Sequence, residues 1–423
     1  MSSGACRRTI LARDVCSMRT AAIGGVMHAS LGQKVTILTA SAGLILLMLG
    51  QAGVAAAAKA PSAGKKVLQQ VARSRAATPT PAIDTGSLSL ATYPSWAGRF
   101  YSVSATSADD VWAAGLSAAG GQIAHWDGSS WADYDFSDGY QAVAAQSPTD
   151  AWAVGGTSWF YPTQTLARHW NGQTWTQVPT PTPGGSAWFN AVAATSPTNA
   201  WAVGCMCGGP GELGYATPLI EHWNGEAWTQ QSFPLPTHTA QFLGVAAISR
   251  RNAWAVGGTG SSSPNSALIE HWNGYRWRRV TTPPGLGFLQ GVAATKWNNV
   301  WAVGYNNSGP KALSLILHFN GTRWSRVRSP NPTGSTNLSG VSASSRSNAW
   351  AVGYTNLSCP CGTAAFHWNG KRWNAVTAPN PPAGFLDALL GVVAISPSDA
   401  WAVGTTDWSS TIIEHWNGTA WTT

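Results

Sequence analysis

One phrase recurs seven times between Val103 and the C-terminus, and it limits this 423-residue chain to a small set of repeat folds. Each copy reads G-V-A-A-x-S-x-x-(N/D)-A-W-A-V-G, a variable stretch, and then I-E-H-W-N-G-x-x-W-x-x-V. The first tryptophans recur about every 48 residues, at Trp112, Trp152, Trp201, Trp254, Trp301, Trp350 and Trp401. A unit of this length cannot bury its apolar face alone and must pack against its neighbours.

Each copy predicts four short strands: G-V-A-A, A-W-A-V-G, L-I-E-H-W and x-x-W-x-x-V. Asn-Gly between the third and fourth strands predicts a tight type I′ hairpin turn. The Asp or Asn before each second strand predicts an Asx turn. Four strands per copy and seven copies predict an all-β fold, a seven-bladed β-propeller of four-stranded antiparallel blades. We expect residues 87–97 to pair with the last blade and help to close the ring.

The composition excludes several other classes. Charged residues make up 10% of the chain, against about 25% in an ordinary domain, which disfavours a coiled coil. Apolar residues make up 44%, which disfavours disorder. The net charge of +8 comes from the first 98 residues, since 15 basic and 15 acidic residues follow from Arg99 onward. We therefore predict no nucleic-acid partner.

The N-terminal region predicts export. Residues 35–58 carry no charge, follow Lys34 and close on a run of alanines, as in a secretory signal cleaved near Ala58. The 33 residues before that run are long for a signal, so Met18 or Met27 are alternative starts. We predict a leader over residues 1–58, a Pro/Ala/Ser-rich linker over 59–97 and the propeller over 98–423. The protein is then secreted or held at the cell surface, and only an uncleaved leader would place it in a membrane.

The W-A-V-G strand followed by a Gly-containing hairpin and a Trp resembles photosystem II assembly-factor-type propellers. It resembles Asp-box (sialidase-type) and Kelch blades more loosely, and it is similar to secreted bacterial proteins with W-A-V-G and H-W-N-G repeats. The resemblance covers about residues 98–423. H-W-N-G-x-x-W departs from the Asp-box pattern S-x-D-x-G-x-x-W, so no sialidase or copper-site residue transfers to this chain. The resemblance implies a fold and no particular activity.

No catalytic or metal constellation stands out. The seven repeated histidines lie on third strands, so neighbouring copies would be roughly 14 Å apart, too far to share a zinc ion. We interpret them as hydrogen-bonded blade residues beside tryptophan. Glu221, Glu270 and Glu414 fall one per blade, whereas glycosidase chemistry needs two carboxyl groups about 5–9.5 Å apart. We predict no catalytic residue, no metal and no cofactor, and hence no enzyme.

The variable segments predict a binding face. Loops between the second and third strands, and loops between blades, vary in length and emerge on the same face. Aromatic residues outside the repeat collect there and can stack on sugars or anchor a protein, or they can simply roof the blades. The candidate ligand-binding residues are Trp159, Phe160, Tyr161, Trp188, Tyr215, Tyr305, Tyr354 and Trp408.

The cysteines after the leader form two closely spaced pairs, Cys205/Cys207 and Cys359/Cys361. Both fall between second and third strands, in copies three and six. In an exported protein we expect local disulfides that clamp these loops, and metal binding by paired thiolates is the alternative.

These observations together predict an exported binding module. Its partner is an extracellular polysaccharide or a surface protein, held by a monomer on the variable-loop face. The alternatives are a secreted carbohydrate-active hydrolase or lyase and a structural surface protein. Seven arginines are predicted to lie on the fourth strands of copies four to six and are interpreted as edge protection. They are Arg276, Arg278, Arg279, Arg323, Arg326, Arg328 and Arg372.

Overall fold

A computed structural model of the chain describes residues 97–158, 163–181, 183, 185–207, 216–234, 236, 239–260, 266–282, 285–306, 309, 312–331, 335–356, 362–379, 387–407 and 409–423. Within these ranges all regular structure is β, in seven antiparallel sheets of four strands each. The predicted seven-bladed propeller is confirmed. The predicted leader and most of the linker lie outside the described residues. Within these same ranges no helix is long and apolar enough to span a bilayer.

Each blade consists of four strands that are consecutive in sequence. The first strands are β1 (Gly98–Ser107), β5 (Gly139–Ser147), β9 (Ala187–Ser196), β13 (Ala240–Ser249), β17 (Phe288–Lys296), β21 (Ser335–Ala343) and β25 (Asp387–Ser396). The second strands are β2 (Asp110–Ser117), β6 (Asp150–Gly156), β10 (Asn199–Cys207), β14 (Asn252–Thr259), β18 (Asn299–Asn306), β22 (Ala349–Asn356) and β26 (Asp399–Thr406). The third strands are β3 (Gly120–Trp126), β7 (Thr165–Trp170), β11 (Ala216–Trp223), β15 (Ser266–Trp272), β19 (Leu313–Phe319), β23 (Gly362–Trp368) and β27 (Ser410–Trp416). The outer strands are β4 (Trp131–Phe136), β8 (Trp175–Val178), β12 (Trp228–Gln230), β16 (Trp277–Arg279), β20 (Trp324–Arg326), β24 (Trp373–Val376) and β28 (Trp421–Thr422).

The first strands surround the central axis. Each contacts the first strands of both neighbouring blades, and β25 contacts β1, so the ring is closed. Small residues allow this approach. A Cβ at Gly391 of blade seven would lie 3.0 Å from the Cα of Ser102 in blade one.

The glycine of W-A-V-G is required by a bulge in the neighbouring first strand. In every blade the register between the first and second strands skips one first-strand residue beside this glycine. A first-strand carbonyl oxygen consequently lies 1.9–2.0 Å from where a Cβ would stand, which leaves no room for any side chain. The seven glycines are Gly115, Gly155, Gly204, Gly257, Gly304, Gly353 and Gly404.

The repeated histidine fixes the start of the second strand. In all seven blades His Nε2 lies 2.7–3.0 Å from Oδ1 of the Asp or Asn that begins this strand or directly precedes it. The imidazole also packs on the W-A-V-G tryptophan of its own blade, with ring centroids 3.8–4.7 Å apart. The structural interpretation of the histidines is thereby confirmed.

Both turn predictions need correction. The Asp or Asn side chain that meets the histidine does not form an Asx turn, and in four blades it bonds backward to the side chain four residues earlier. Asn199 Nδ2, for example, donates to Thr195 Oγ1 at 2.6 Å. The Asn-Gly hairpins are four-residue loops in which only the glycine has positive φ, 92° at Gly172, so they are not type I′. The Asn side chain is the reason. Asn171 Oδ1 accepts the amides of Gln173 and Thr174 at 3.0 and 2.9 Å and caps a longer turn.

Edge-to-face tryptophan pairs join consecutive blades. The W-A-V-G tryptophan of one blade meets the outer-strand tryptophan of the next, with centroids 4.9–5.8 Å apart and interplanar angles of 76–90°. The pairs are Trp112–Trp175, Trp152–Trp228, Trp201–Trp277, Trp254–Trp324, Trp301–Trp373, Trp350–Trp421 and Trp401–Trp131. The last pair joins blade seven to blade one and repeats at the closure the contact used everywhere else.

Residues 87–97 are expected to pair with blade seven, and the structure describes only the last of them, Ala97. Ala97 pairs with Ser410, and the Gly98 amide donates to the Ser409 carbonyl at 2.8 Å. The chain thus meets blade seven just before β1 begins, while residues 87–96 lie outside the described residues.

Replacing one of these tryptophans should leave a cavity at a blade interface. Trp254→Ala should lower the free energy of unfolding by ~3–5 kcal/mol, because Trp254 is fully buried between His271 and the rings of Phe319 and Trp324. Chemical denaturation of the variant measures the loss. Tyr275→Ala, at a ring exposed to 83%, is the matched control and should change stability by under about 0.5 kcal/mol. Equal effects of the two substitutions would contradict a stabilising role for the tryptophan contacts between blades.

Candidate binding face

The two faces of the ring differ in how much their connections vary. One face, here the turn face, carries the first-to-second turns and the four-residue hairpins between third and outer strands. The other, here the loop face, carries the second-to-third loops and the connections between blades. On the loop face the second-to-third loops range from two residues after β2 to eight after β6 and β10. The antiparallel order of every sheet puts both variable classes on the loop face, as predicted.

Hydrogen bonds join blades two and three at the loop face. The Thr163 amide donates to Ser186 Oγ at 3.0 Å, and the Ala187 amide donates to the Thr163 carbonyl at 3.0 Å. The Cys207 amide in turn donates to the Ser186 carbonyl at 2.9 Å. Thr163 and Ser186 are buried, so solvent does not compete for these bonds. The β6–β7 loop, the entry to β9 and the end of β10 therefore share one rigid base.

Trp188 lies beside this base. It is half-buried on β9, its neighbour across the strand pair is Cys205, and its indole Nε1 donates to Asn190 Oδ1 at 3.1 Å. Asn190 is itself held, because its Nδ2 donates to the Phe242 carbonyl of blade four at 2.8 Å. The indole is thus oriented in advance and keeps part of its surface in solvent.

A disulfide lies at the end of β10. Cys205 and Cys207 are bonded to each other, with Cα atoms 5.6 Å apart. The bond sits in the last residues of a strand rather than in the loop itself, and it braces the strand that pairs with Trp188. Cys359 and Cys361 lie outside the described residues, so their pairing stays a prediction.

Five aromatic candidates lie outside the described residues: Trp159, Phe160, Tyr161, Tyr215 and Trp408. The first three belong to the β6–β7 loop, whose described ends are bonded together. The Thr157 amide donates to the Gln164 carbonyl at 2.9 Å, and the Gln164 amide donates to Thr157 Oγ1 at 3.1 Å. Their role in binding stays a prediction.

Tyr305 and Tyr354 are not exposed rings. Their exposures are 5% and 7%. Tyr305 stacks on Phe288 with centroids 6.1 Å apart, and Tyr354 packs with Ala388 and Leu390. In this structure both tyrosines roof the blades, so neither ring is available for stacking on a ligand.

Bulge residues of the seven first strands form a ring around the axis, which sequence reasoning missed. They are Tyr101, Gln141, Asn190, Leu243, Gln290, Ser339 and Leu390. None carries a charge, so these residues bring no carboxyl pair to the axis; Gln290, Ser339 and Leu390 are buried, and the Asn190 amide is bonded to blade four. The sequence contains one indication of the bulge. Each first strand has one extra residue just before the small residue that precedes valine.

The repeated glutamates are buried separately. Glu221, Glu270 and Glu414 have no exposed surface and lie on third strands of three different blades. Arg279 Nε donates to Glu270 at 2.6 Å. Burial raises the pKa of Glu221 to about 8, and burial with the nearby charge of Asp387 raises that of Glu414 to about 8. The described ranges hold no group of three or more His, Cys, Asp or Glu arranged for a metal ion.

Comparisons with known proteins bear on the fold alone. No family model and no curated protein matches the chain. The structure of U3-55K is 12% identical, with 75% of this chain and 95% of that chain covered and a TM-score of 0.50. YCF48 bound to D1 peptide is 14% identical (74% and 91% covered, TM-score 0.47), and YCF48 from Cyanidioschyzon merolae is 13% identical (76% and 96%, 0.47). The Asp-box and Kelch resemblances gain no support from these structures.

The buried glutamates should make stability fall as the pH rises from about 6.5 to 8. The native state keeps Glu221 and Glu414 protonated up to about pH 8, while the unfolded chain ionises them near 4.5, so the native state binds more protons. Each group can contribute a slope of at most about 1.4 kcal/mol per pH unit, and the fall ends above pH 8. Below 6.5 His222 and His271, whose pKa values burial lowers to about 4, act in the opposite direction.

Denaturation midpoints measured across this range test the effect. Glu221→Gln combined with Glu414→Gln should flatten the dependence, because a neutral amide mimics the protonated acid. Glu226→Gln, at an exposed hairpin glutamate, should leave it intact. A slope that survives the double substitution would show that other groups cause it.

Proposed function

We propose that this propeller is a non-enzymatic interaction module of the cell exterior, which holds an envelope polysaccharide or a surface protein on its loop face. The observation that carries the proposal is the rigid base at blades two and three. Thr163, Ser186 and Cys207 tie three strand ends together beside the half-buried Trp188. Binding residues that are fixed before the ligand arrives lose little entropy on binding.

The chemistry around the axis supports binding rather than catalysis. The bulge ring is uncharged, and the glutamates that could serve as acid and base are buried in separate blades. A glycosidase needs its two carboxyl groups within about 9.5 Å of each other and in contact with the sugar. Amide, hydroxyl and aromatic groups on a rigid frame are instead the groups with which proteins recognise neutral polymers and peptides.

Export is supported by the disulfide and by the leader. Cys205 and Cys207 are bonded, and such bonds persist in oxidising compartments. Residues 35–58 have the uncharged run and small-residue end of a secretory signal.

Loop-face binding can be tested with cell envelopes of the organism that encodes the chain. The purified exported chain should sediment with these envelopes, and Trp188→Ala should weaken the association at least tenfold. Gln177→Ala, at an exposed residue of the outer strand of blade two that belongs to neither face, is the control and should bind like the parent. Resistance of binding to protease treatment of the envelopes would indicate a polysaccharide, and loss of binding a surface protein. The absence of binding, or the release of sugar products, would contradict the proposal.

Processing of the leader can be tested independently. The full chain expressed in a secreting bacterial host should appear outside the cell with its N-terminus near Lys59. N-terminal sequencing of the released protein checks this. A full-length chain retained in the membrane fraction would contradict cleavage.

A further inference from the structure

Charge on the turn face is divided between two sectors. The turns of blades four to six carry eight exposed basic residues and no acidic ones: Arg250, Arg251, Arg276, Lys296, Arg323, Arg346, Lys371 and Arg372. The corresponding turns of blades seven, one, two and three carry no basic residue, and their exposed acidic residues are Asp109, Asp127 and Glu226. Arg276, Arg323 and Arg372 lie in hairpin turns rather than on outer strands, so edge protection does not explain them.

The two turns of each blade lie side by side, which brings these cations onto one surface. A Cβ at Gly274 of the blade-four hairpin would lie 2.9 Å from the Cβ of Arg251, a residue of the other turn. Arg250 reaches the edge of the sector, where its guanidinium donates to the Thr198 carbonyl of blade three at 2.9 Å. Six turns of three consecutive blades thus carry these cations on the same face, which we call the basic sector.

Two exposed aromatic rings stand within this sector. Tyr275 is 83% exposed and directly precedes Arg276, and Trp297 is 60% exposed and directly follows Lys296. The Trp297 ring packs on the hairpin turn of its own blade, because a Cβ at Gly321 in that turn would lie 2.7 Å from the ring. Among the described residues, these two rings and Leu313 are the large apolar side chains most exposed to solvent.

We propose that the turn face of blades four to six binds an anionic polysaccharide, with the arginines and lysines pairing its carboxylate or phosphate groups and Tyr275 and Trp297 stacking on its sugar rings. Neighbouring third strands are about 14 Å apart, so the sector forms an arc of roughly 28 Å. Single cations spaced along such an arc match an extended polymer with repeating charge better than one compact anion. The acidic sector opposite limits the polymer to these three blades.

Several observations favour this occupant. Stacking on the broad face of a sugar needs a flat ring held in place, which the Trp297 support on Gly321 provides. The Cys205–Cys207 disulfide fits an oxidising exterior, where charged polysaccharides are the abundant polyanions. This site is separate from the loop-face site, so each can fail without the other.

Binding of the exported chain to polygalacturonate tests the proposal by titration calorimetry. The chain should bind this polymer and not neutral dextran, and the affinity should fall at least tenfold between 50 and 300 mM NaCl because the contacts are ionic. Combined Arg276→Thr, Arg323→Thr and Arg372→Thr should weaken binding at least tenfold. Threonine already occupies this hairpin position at Thr174 in blade two, so the melting temperature should stay unchanged.

Three further variants locate the site. Trp297→Ala should weaken polygalacturonate binding about tenfold, and Ala108 shows that alanine fits this turn in blade one. Combined Arg278→Thr and Arg326→Thr removes outer-strand arginines and should have little effect, as should Trp188→Ala. No binding to polygalacturonate, equal binding by the triple variant, or tighter binding to single-stranded DNA, polyglutamate or phosphatidylglycerol vesicles would overturn the proposal.

Discussion

The structure depends on one repeated contact, the edge-to-face packing of a W-A-V-G tryptophan against the outer-strand tryptophan of the next blade. A four-stranded blade has two apolar faces and cannot bury either alone. Each tryptophan pair packs one face of a blade against the next blade, and the pair recurs at all seven interfaces, including Trp401–Trp131 between the last blade and the first. The rest of the repeat holds these rings in place: the histidine packs on the first tryptophan, and the bulge and its glycine bring the first two strands together.

A frame stabilised in this way leaves its edges free to vary. Residues that contact the tryptophan pairs are nearly constant among the copies. Loop lengths on the loop face and side chains in the turns of the turn face differ from blade to blade. On the loop face, the variable segments meet at blades two and three, where Ser186 accepts hydrogen bonds from Thr163 of the β6–β7 loop and from Cys207 at the end of β10. The turn face keeps its backbone constant and varies only charge and aromaticity. The two proposed sites thus arise from different kinds of variation on one scaffold.

The architecture can be predicted from the sequence because the tryptophans that join the blades belong to the repeated phrase. Strand number, blade number and the structural role of the histidines all follow from residues that recur at fixed spacing. Local geometry was harder. Asn-Gly suggested a two-residue turn, but the Asn171 side chain caps two amides and stabilises a four-residue turn. One extra residue recurs in the first-strand phrase, but the phrase alone does not tell which residue loses its pairing, and the burial of Tyr305 and Tyr354 depends on how the strands and blades pack. The basic sector was visible in sequence only as scattered arginines, since the side-by-side packing of two turns per blade brings them together.

Blade seven joins blade one through the same tryptophan contact that joins every other pair of consecutive blades. A double-mutant cycle on Trp401 and Trp131, 270 positions apart in sequence, measures that contact directly. We expect a coupling free energy of about 0.5–1.5 kcal/mol, similar to that of Trp254 and Trp324 within the ring. Additive effects of the two substitutions, with coupling retained at Trp254 and Trp324, would mean that blades seven and one do not meet in this way.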